Sequence, residues 1–358
     1  MSKKTVRKPD LSKLLKEEDI SVLFQPGYSI GGYILEGKID PNILESINSG
    51  ELRLVNSIST VFVTRHKGIV IAALYDSDVK TPRTLVGEGH DLPLKKFKKR
   101  SDIDYLLEDV KDVPYSPLLV YKKMDEHKGK WIEFVTHSNL RDLKEDELMQ
   151  AFIYPPFDDG YMRDVRCILL GDSVEAMYFR RAPEPLINKT TKQLIESPPS
   201  RQRTLTNIHQ GGVREDVPYN LKDICEEIAI KAQKAIVRHS AIYAERLKQS
   251  GLLPDVERFI NFNWGAVDFI FNQKMEPMVL EVDSGPDVTK YLSMNHDLGV
   301  SLASYLGDMS ESGYVGLYSF CPFSKDVSRY LKEAGVRFKT VSIPFGGKIS
   351  VREDTFSV

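Results

Sequence analysis

Three carboxylates in the last third of the chain have the spacing of a cation-binding site. Asp268 lies in the apolar run 267–271, whose alternation predicts a strand, and Glu281 and Asp283 lie two apart in the next predicted strand, 278–283. Side chains two apart on a strand share a face, and a hairpin would bring Asp268 beside them. Such carboxylates repel one another unless a cation lies between them, and hard oxygen ligands suit Mg²⁺, which also takes phosphate oxygens. The alternative is that each acid marks a strand edge that faces water.

A predicted hairpin upstream, residues 165–180, carries arginines. Its turn, Gly171-Asp172, is of the two-residue type that twisted strands prefer. The second strand ends in Arg180-Arg181, and paired glycines, Gly211-Gly212, follow after the Pro- and Ser-rich stretch 182–203. Paired glycines near arginines let backbone N–H groups approach a phosphate closely. These residues therefore predict phosphate contacts beside the cation site.

Three linked segments carry a resemblance to a known family. They are DVRCILLGDSVEAMYFRRA, LTNIHQGG and GAVDFIFNQKMEPMVLEVDSGP, within residues 150–300. In order and spacing they resemble the ATP-grasp superfamily, and most of all its branch of ribosomal-protein glutamate ligases and related amino-acid ligases. Three blocks in order are more specific than any one of them.

The resemblance implies a role for each matched residue. Three residues would hold Mg²⁺, with Mn²⁺ as an alternative ion: Asp268, Glu281 and Asp283. Three would stabilise the transferred phosphoryl group and the acyl phosphate: Arg166, Arg181 and Asn207. Seven would contact ATP: Lys67, Lys122, Gln150, Phe152, Ile153, Gly211 and Gly212. Phosphoryl transfer needs cations and oriented donors more than covalent chemistry, which agrees with these assignments.

The resemblance continues upstream over three shorter segments. The helix and strand that open the family's nucleotide-binding region are similar to VNSISTVFVTRHKGIVIAALYDSDVKTPRTLV, with Lys67 at the basic position. The next strand and the phosphate-covering loop are similar to SPLLVYKKMDEHKGKWIEFV, with Lys122 at the lysine position, and the adenine hinge is similar to QAFIYPP. From the residues alone, Lys67 could be an exposed helix lysine, and a register shift of one would replace Lys122 by Lys123.

Three positions depart from the family's pattern. The last metal ligand is usually Asn, whereas here it is Asp283, which adds a negative charge. The phosphate-covering loop has only Gly129 where relatives are rich in glycine, and Ala151 replaces the acidic hinge residue. These departures leave open a non-catalytic protein that binds the nucleotide without turnover.

The two ends of the chain predict one small domain. Relatives carry a complete βαβ-type domain before the nucleotide-binding region, whereas the segment that precedes it here is short. The C-terminus supplies a predicted strand–helix–strand pattern, residues 314–343. We expect residues 314–358 to pack beside residues 20–56 as a circular permutation, since chain termini often lie close together.

A second interpretation of the C-terminal segment stays open. YSFCPFSKDVSRYLKEAGVRFKTVSI also resembles the first half of a glutaredoxin, with Cys321 at the redox-active position. A thiol at a helix N-terminus has a lowered pKa, so Cys321 would be reactive on this interpretation. The segment covers only about half of that fold, and Ser324 replaces the second cysteine, so we prefer the permutation.

The fold class expected is α+β, an ATP-grasp pair of subdomains that clamp ATP, with a small α/β pre-ATP-grasp domain. The predicted boundaries are residues 1–60 and 313–358 for the pre-ATP-grasp domain, 61–149 for the N-terminal ATP-grasp subdomain and 150–312 for the C-terminal subdomain.

Local patterns predict the remaining elements. Residues 61–75 and 139–149 suit helices, and Asn220 caps a long helix that Gly251 stops. The stretch 182–203 predicts a mobile loop that would close over the site and exclude water.

Composition limits the partners. The 49 Lys and Arg nearly balance the 51 Asp and Glu, so no overall field favours nucleic acid or an anionic membrane, and the basic run 94–100 is interpreted as a solvated face. Cys167, Cys225 and Cys321 form no CxxC or Cys/His cluster, which argues against a disulfide framework and a structural zinc site. No apolar run approaches the ~18 residues that span a bilayer, and the N-terminus shows no signal-peptide pattern. We therefore expect a cytoplasmic protein.

The expected function is that of an ATP-dependent carboxylate–amine ligase, which forms an amide through an acyl phosphate and releases ADP and phosphate. Its partners would be small-molecule or peptide carboxylate and amine substrates, and a homo-oligomer is left open. The alternatives are a non-catalytic ATP-binding regulatory protein and a small-molecule kinase on the same fold.

Overall fold

The structure is a computed structural model that describes the following residues: 15–24, 41–89, 91–124, 132–208, 211–286, 292, 295–311, 313–318, 324–342 and 350–353. Residues 1–14, Gly129, His209 and Cys321 lie outside them, so the predictions on Gly129 and Cys321 stay predictions. Across the described part of the chain, no helix combines the length and the apolar character needed to cross a membrane.

The strands, in chain order, are β1 (Ile20–Phe24), β2 (Arg53–Val55), β3 (Thr84–Val86), β4 (Lys95–Lys96), β5 (Leu118–Lys123), β6 (Ile132–Thr136), β7 (Glu147–Ala151), β8 (Arg163–Leu170), β9 (Ser173–Arg181), β10 (Val213–Glu215), β11 (Trp264–Phe271), β12 (Pro277–Asp283), β13 (Tyr314–Tyr318), β14 (Phe338–Ser342) and β15 (Ser350–Glu353). The α-helices are α1 (Pro41–Ser49), α2 (Ile58–Arg65), α3 (Lys67–Asp76), α4 (Asp104–Leu107), α5 (Arg201–Thr204), α6 (Tyr219–Gln249), α7 (His296–Ser310) and α8 (Ser324–Glu333). Short 3₁₀ helices occur at Arg100–Ile103, Glu108–Val110 and His137–Asn139.

Among the described residues the strands form three five-stranded sheets, and the fold is α+β. The leading sheet has the order β15-β14-β13-β1-β2, the middle sheet β4-β3-β7-β5-β6, and the site sheet β10-β9-β8-β11-β12. The middle sheet and the site sheet are the two between which the sequence predicts that ATP is clamped.

The leading sheet joins the two ends of the chain. Strand β1 lies between β2 and β13 and is parallel to both, and β13 is in turn parallel to β14. Alternate residues of β1 face opposite sides: Val22 and Phe24 pack with helix α7, and Leu23 packs with helix α1. The pairing of residues 20–24 with 314–318 that the permutation predicts is therefore present, and the domain boundaries stay predictions.

Two helices precede the middle sheet where the sequence predicts one. Residues 61–75 are divided between α2 and α3 because the backbone of His66 is extended and His66 Nδ1 accepts a hydrogen bond from the Ile69 N–H, 3.3 Å, which caps the second helix. The break places Lys67 at the first position of α3.

The helix predicted at 139–149 is wrong. Residues 147–151 form the central strand β7, which pairs with β3 on one side and β5 on the other. All five of its residues are buried. Because both faces of this strand are buried, its sequence ELMQA lacks the alternation of apolar and polar residues that identifies a half-buried strand.

The site sheet packs one face on the long helix α6. Val165, Cys167, Phe179, Val267 and Phe269 belong to the same apolar cluster as the buried face of α6. Helix α6 begins one residue before the predicted Asn220 cap, after Pro218, and Gly251 follows its end with a φ of +74°. Because side chains alternate along strands, the opposite face of this sheet presents the intervening residues. One part of that face is apolar and packs on α7 through residues such as Ile168 and Ala266, and the other part carries the charged residues Arg166, Arg180 and Asp268.

Candidate active site

The centre of the charged face is an ion pair between neighbouring strands. Asp268 on β11 lies opposite Arg166 on β8, and it lies opposite Glu281 on β12 across its other edge. Arg166 donates from Nε and Nη2 to the two carboxylate oxygens of Asp268 at 2.7 and 2.6 Å, and Arg180 Nη2 lies 2.8 Å from Asp268 Oδ2. Asp268 is 4% exposed, so these contacts are shielded from water. The proximity of Asp268 to Glu281 that the sequence predicts is confirmed by this register.

Charge, rather than solvent, sets the protonation of this pair. Burial by itself would raise the pKa of Asp268, but Arg166 and then Arg180 outweigh it and hold the pKa below its ordinary value. Burial would likewise lower the pKa of Arg166, and Asp268 instead raises it well above its ordinary value. The Asp268 carboxylate is therefore ionised and is held by two guanidiniums.

Arg180 is fixed by a second carboxylate. Its Nε and Nη2 donate to Asp164 Oδ1 and Oδ2 at 2.7 and 2.6 Å, and Thr206 Oγ1 donates to Asp164 Oδ2 at 2.6 Å. Asp164 and Arg180 are 7% and 6% exposed. The hydroxyl contact ties the loop that carries Asn207 to the site sheet.

Glu281 and Asp283 extend the acidic edge along β12. Lys67 Nζ lies 3.9 Å from Glu281 Oε1, which brings the first residue of α3 to the strand pair. Asp283 lies opposite Ala266, and its Oδ1 accepts a hydrogen bond from the Gly285 N–H at 2.8 Å. Lys67 thus lies at the site rather than on an exposed helix face.

Lys122 reaches the same place from the middle sheet. Its Nζ donates to Gln150 Oε1 at 2.7 Å, and Gln150 Nε2 donates to Thr84 Oγ1 at 2.8 Å, so the amide is anchored on two sides. Burial lowers the pKa of Lys122 to about 8, with a further contribution from the nearby Lys67 that Glu281 opposes. Lys123 instead pairs with Asp146 at 2.8 Å, and its side chain is 32% exposed. In this register Lys122 is therefore the lysine that approaches Lys67 and Glu281.

The predicted adenine hinge lies at the seam between the two sheets. Phe152 and Ile153 follow β7 and are buried in one apolar cluster with Ile270 and Met278 of the site sheet. Phe152 also contacts Phe134 of β6 edge-on, with ring centroids 5.6 Å apart. The seam therefore has an apolar wall next to the charged face.

The paired glycines shape the Asn207 loop. Gly211 has a φ of +94°, and a Cβ on Gly212 would overlap the Thr206 carbonyl. Their N–H groups donate to the carbonyls of Ile208 and Asn207 at 3.3 and 3.1 Å. Both donors are thus used inside the loop, so the glycines fold it tightly rather than offer open N–H groups to a phosphate as the sequence predicts.

Arg181 lies away from this group. It pairs with Glu215 of β10, and its guanidinium lies over the Tyr161 ring at 4.4 Å. It is opposite Arg163 in the β8–β9 ladder, on the face that carries Val165 and Phe179. The arginine that accompanies Arg166 is Arg180, which the sequence-based assignment missed.

The stretch 182–203 packs against the body of the protein. The N–H groups of Leu186 and Ile187 both donate to the Gly160 carbonyl, at 2.9 and 3.1 Å, and both side chains are buried. Arg203 pairs with Glu184 and Glu196 at 2.9 and 3.0 Å. The segment predicted as a mobile lid is therefore packed against the rest of the protein in this structure.

The donor chemistry of the acidic strand pair fits Mg²⁺, because carboxylate oxygens are its preferred protein ligands. However, within the described residues no three ligating side chains form a group that could hold a metal ion. In this structure the two oxygens of Asp268 are bound by Arg166 and Arg180. Binding of a cation here would require Asp268 to release a guanidinium.

Comparisons with known proteins show a likeness of fold. No protein-family model matches the chain, and the curated proteins gave no match. The D-alanine–D-alanine ligase from Bacillus anthracis has a TM-score of 0.48 at 14% identity, over 92% of this chain and 86% of that one. D-Cycloserine synthetase has a TM-score of 0.42 at 14% identity, over 75% and 94%. The ATP-grasp ligase PsnB, complexed with a minimal precursor, has a TM-score of 0.42 at 12% identity, over 76% and 69%.

These TM-scores are all below 0.5 at identities of 12–14%, so neither the family nor the activity of this chain follows from them. The likeness does not single out the glutamate-ligase branch, which stays a prediction.

Proposed function

We propose that this protein binds Mg–ATP between the middle sheet and the site sheet and acts as a carboxylate–amine ligase. The observation that carries the proposal is the convergence of four cations on one acidic strand pair. Lys67 comes from α3, Lys122 from β5, and Arg166 and Arg180 from the site sheet. Phosphoryl transfer depends on such preorganised cations, because charge spreads over the phosphoryl oxygens in the transition state.

The charge balance favours Mg–ATP over the free nucleotide. The four cations meet four carboxylates, namely Asp164, Asp268, Glu281 and Asp283, so the cluster as a whole is close to neutral. A triphosphate adds several negative charges that this balance does not offset. Asp268, Glu281 and Asp283 would hold the divalent ion, Mg²⁺ or Mn²⁺, which would neutralise charge on the phosphates.

Each cation has a role in the proposed reaction. Lys67 and Lys122 would bind the nucleotide phosphates, with Phe152 and Ile153 forming the apolar wall for adenine. Arg166, Arg180 and Asn207 would contact the transferred phosphoryl group. The substrate carboxylate attacks the γ-phosphorus, the bond to ADP breaks, and an acyl phosphate results. An amine then attacks the acyl carbon, phosphate leaves, and the nitrogen loses a proton to give the amide.

The substrates of this proposal are a small-molecule or peptide carboxylate and an amine. We place them beside the leading sheet, because the end of β12 is bound to that sheet through Asn56, whose Nδ2 donates to the carbonyls of Trp264 and Ser284 at 2.6 and 3.0 Å. The loop after β2 thus lies against the end of the acidic strand.

A second candidate function rests on the state of Asp268. A carboxylate held by two buried guanidiniums is satisfied without a metal ion, and a protein that uses this pair for structure would bind a nucleotide without turnover. This candidate predicts nucleotide binding that does not depend on Mg²⁺.

An ADP-release assay with Mg–ATP and pools of amino acids and small carboxylates separates these functions. Release that requires two substrates together supports the ligase, and release with one hydroxylated substrate indicates a kinase. No release, together with calorimetric binding of ATP that is equal with and without Mg²⁺, identifies the non-catalytic binder. The Glu281→Gln variant provides the control for contaminating ATPases, since it should abolish any release that belongs to this site.

A further inference from the structure

Asp164 is a buried carboxylate to which none of the proposed roles has been assigned. It lies two residues before Arg166 on β8, so both side chains occupy the charged face of the site sheet. It accepts three hydrogen bonds, two from Arg180 and one from Thr206, at 2.6 to 2.7 Å. Two parallel N–H···O bonds fix both the position and the plane of a guanidinium.

These contacts determine which N–H groups of Arg180 remain available to a ligand. Nε and Nη2 are engaged by Asp164, and Nη2 also lies 2.8 Å from Asp268. In the part of the chain that the structure describes, Nη1 of Arg180 has no acceptor. The contacts with Asp164 and Asp268 therefore leave Nη1 of the guanidinium available to a ligand.

The two carboxylates that hold Arg180 are not equivalent. Asp268 also binds Arg166 with both oxygens, so it can release Arg180 without being left unpaired. Asp164, in contrast, binds no other cation among the described residues. If Asp268 turns towards a divalent ion, Asp164 still holds Arg180 in place.

We propose that Asp164 is a positioning residue that presents Arg180 to the terminal phosphate of ATP and, through Thr206, couples that arginine to the Asn207 loop. The proposal rests on the proposed nucleotide site and adds a residue to it. Its selectivity follows from the geometry: a group that orients Arg180 affects binding of the γ-phosphate and leaves contacts to adenine and the first two phosphates unchanged.

The test compares ADP with the ATP analogue that has an imido β–γ bridge, by calorimetry in Mg²⁺. In Asp164→Asn, one charge-assisted contact to Arg180 is lost, and we expect the analogue to bind about tenfold more weakly. Binding of ADP should change by less than about twofold, because hydrogen bonds remote from the bound groups contribute little. Thr206→Val removes only the hydroxyl and should give a smaller loss, of about threefold, again confined to the analogue.

Asp159→Asn is the matched control. Asp159 accepts two hydrogen bonds from Arg163, at 2.8 and 2.6 Å, so the variant also breaks a bidentate Arg–Asp pair that involves β8. Arg163 lies on the opposite face, beside Arg181. The affinities for ADP and for the analogue should both stay at the wild-type values in this variant.

The outcomes distinguish a failure of the proposed role of Asp164 from a failure of the proposed nucleotide binding. If the wild type binds neither nucleotide, the proposed function fails. If it binds both and Asp164→Asn weakens them equally, or neither, the role of Asp164 is refuted while the nucleotide site stands. Should thermal melting show that Asp164→Asn does not fold, Thr206→Val decides the matter, and an unchanged ratio of the two affinities would overturn the proposal.

Discussion

Arg166 and Asp268 form a bidentate pair across the β8–β11 ladder, and the metal ligand predicted from the sequence is at the same time the counter-ion of a predicted phosphate ligand. Both oxygens of Asp268 are engaged, so the carboxylate of Asp268 and the guanidinium of Arg166 neutralise each other in this state. Binding of Mg–ATP would exchange the partners: the guanidinium would bind phosphate and the carboxylate would bind the cation. The proposed exchange would thus free Asp268 for a cation.

The first prediction distinguishes Arg180 from its neighbour. Arg180→Gln should lower kcat of the ligase reaction by about 10²- to 10³-fold, the usual effect of removing one preorganised donor to the transition state. Arg181→Gln should retain activity within about threefold, because that side chain pairs with Glu215 on the other face of the sheet, away from Asp268. Steady-state kinetics of both variants check this, and a larger loss in Arg181→Gln would restore the sequence-based assignment.

A β-bulge explains why Arg180, and not Arg181, shares the face of Arg166. A regular hairpin that continued from the Leu170–Ser173 pair would put Met177 opposite Arg166, and Arg181 would then share the face of Arg166. The ladder instead shifts after Leu169–Val174, so that Ile168 pairs with Ala176 and Arg166 pairs with Tyr178. One extra residue in a strand moves every later side chain to the other face. The local sequence does not predict such a bulge.

The predictions that the structure confirms depend on local sequence patterns that specify one type of secondary structure. The hairpin 165–180, the strand pair of Asp268 and Glu281 and the long helix after Pro218 each have clear periodicity and turn residues. The strand at 147–151 was missed because its pairing with β3 and β5, which are distant in sequence, is not visible in its own residues. The pairing of Arg180 with Asp164 and the role of Gln150 beside Lys122 likewise appear only in three dimensions.

The second prediction concerns the acidic strand pair. Glu281→Gln should lower ligase turnover at least about 100-fold, since the variant removes one oxygen charge from the proposed cation site, while the fold is kept. Asp268→Asn should also lose turnover but, in addition, destabilise the protein by about 3–5 kcal/mol, because it leaves the buried Arg166 without its carboxylate partner. Urea unfolding followed by circular dichroism measures the difference. Equal stability of the two variants would contradict the central role of Asp268 in this ion-pair network.

The third prediction tests the Asn207 loop. Gly212→Ala introduces a Cβ that overlaps the Thr206 carbonyl, so the loop must shift and carry Asn207 with it. A displacement of about 1 Å at a positioning residue can cost about 10²-fold in rate, and we expect a loss of that order in kcat. Gly89→Ala is the control, because its Cβ would lie at 3.4 Å or more from the Glu145 side chain. A full-rate Gly212→Ala variant would show that the position of this loop does not matter for catalysis.

The last prediction uses the lowered pKa of Lys122. Burial brings this pKa to about 8, below the ordinary value of 10.5, so the free folded protein loses the lysine charge as the pH rises through about 8. The folded state then holds fewer protons than the unfolded chain between these two values, and the contribution of Lys122 to stability rises with pH over that window. Nucleotide affinity has the opposite trend, because a bound phosphate favours the charged lysine and must restore its proton.

We therefore expect the affinity for Mg–ADP to fall by about tenfold or more between pH 7.5 and 9.5, given the 1.36 kcal/mol that corresponds to each pKa unit. Calorimetry over this range should also show proton uptake on binding above pH 8. Lys122→Arg keeps its charge at all these pH values, so its affinity should be nearly independent of pH. If the affinity of the wild type depends on pH as little as that of the arginine variant, Lys122 does not contact the phosphates.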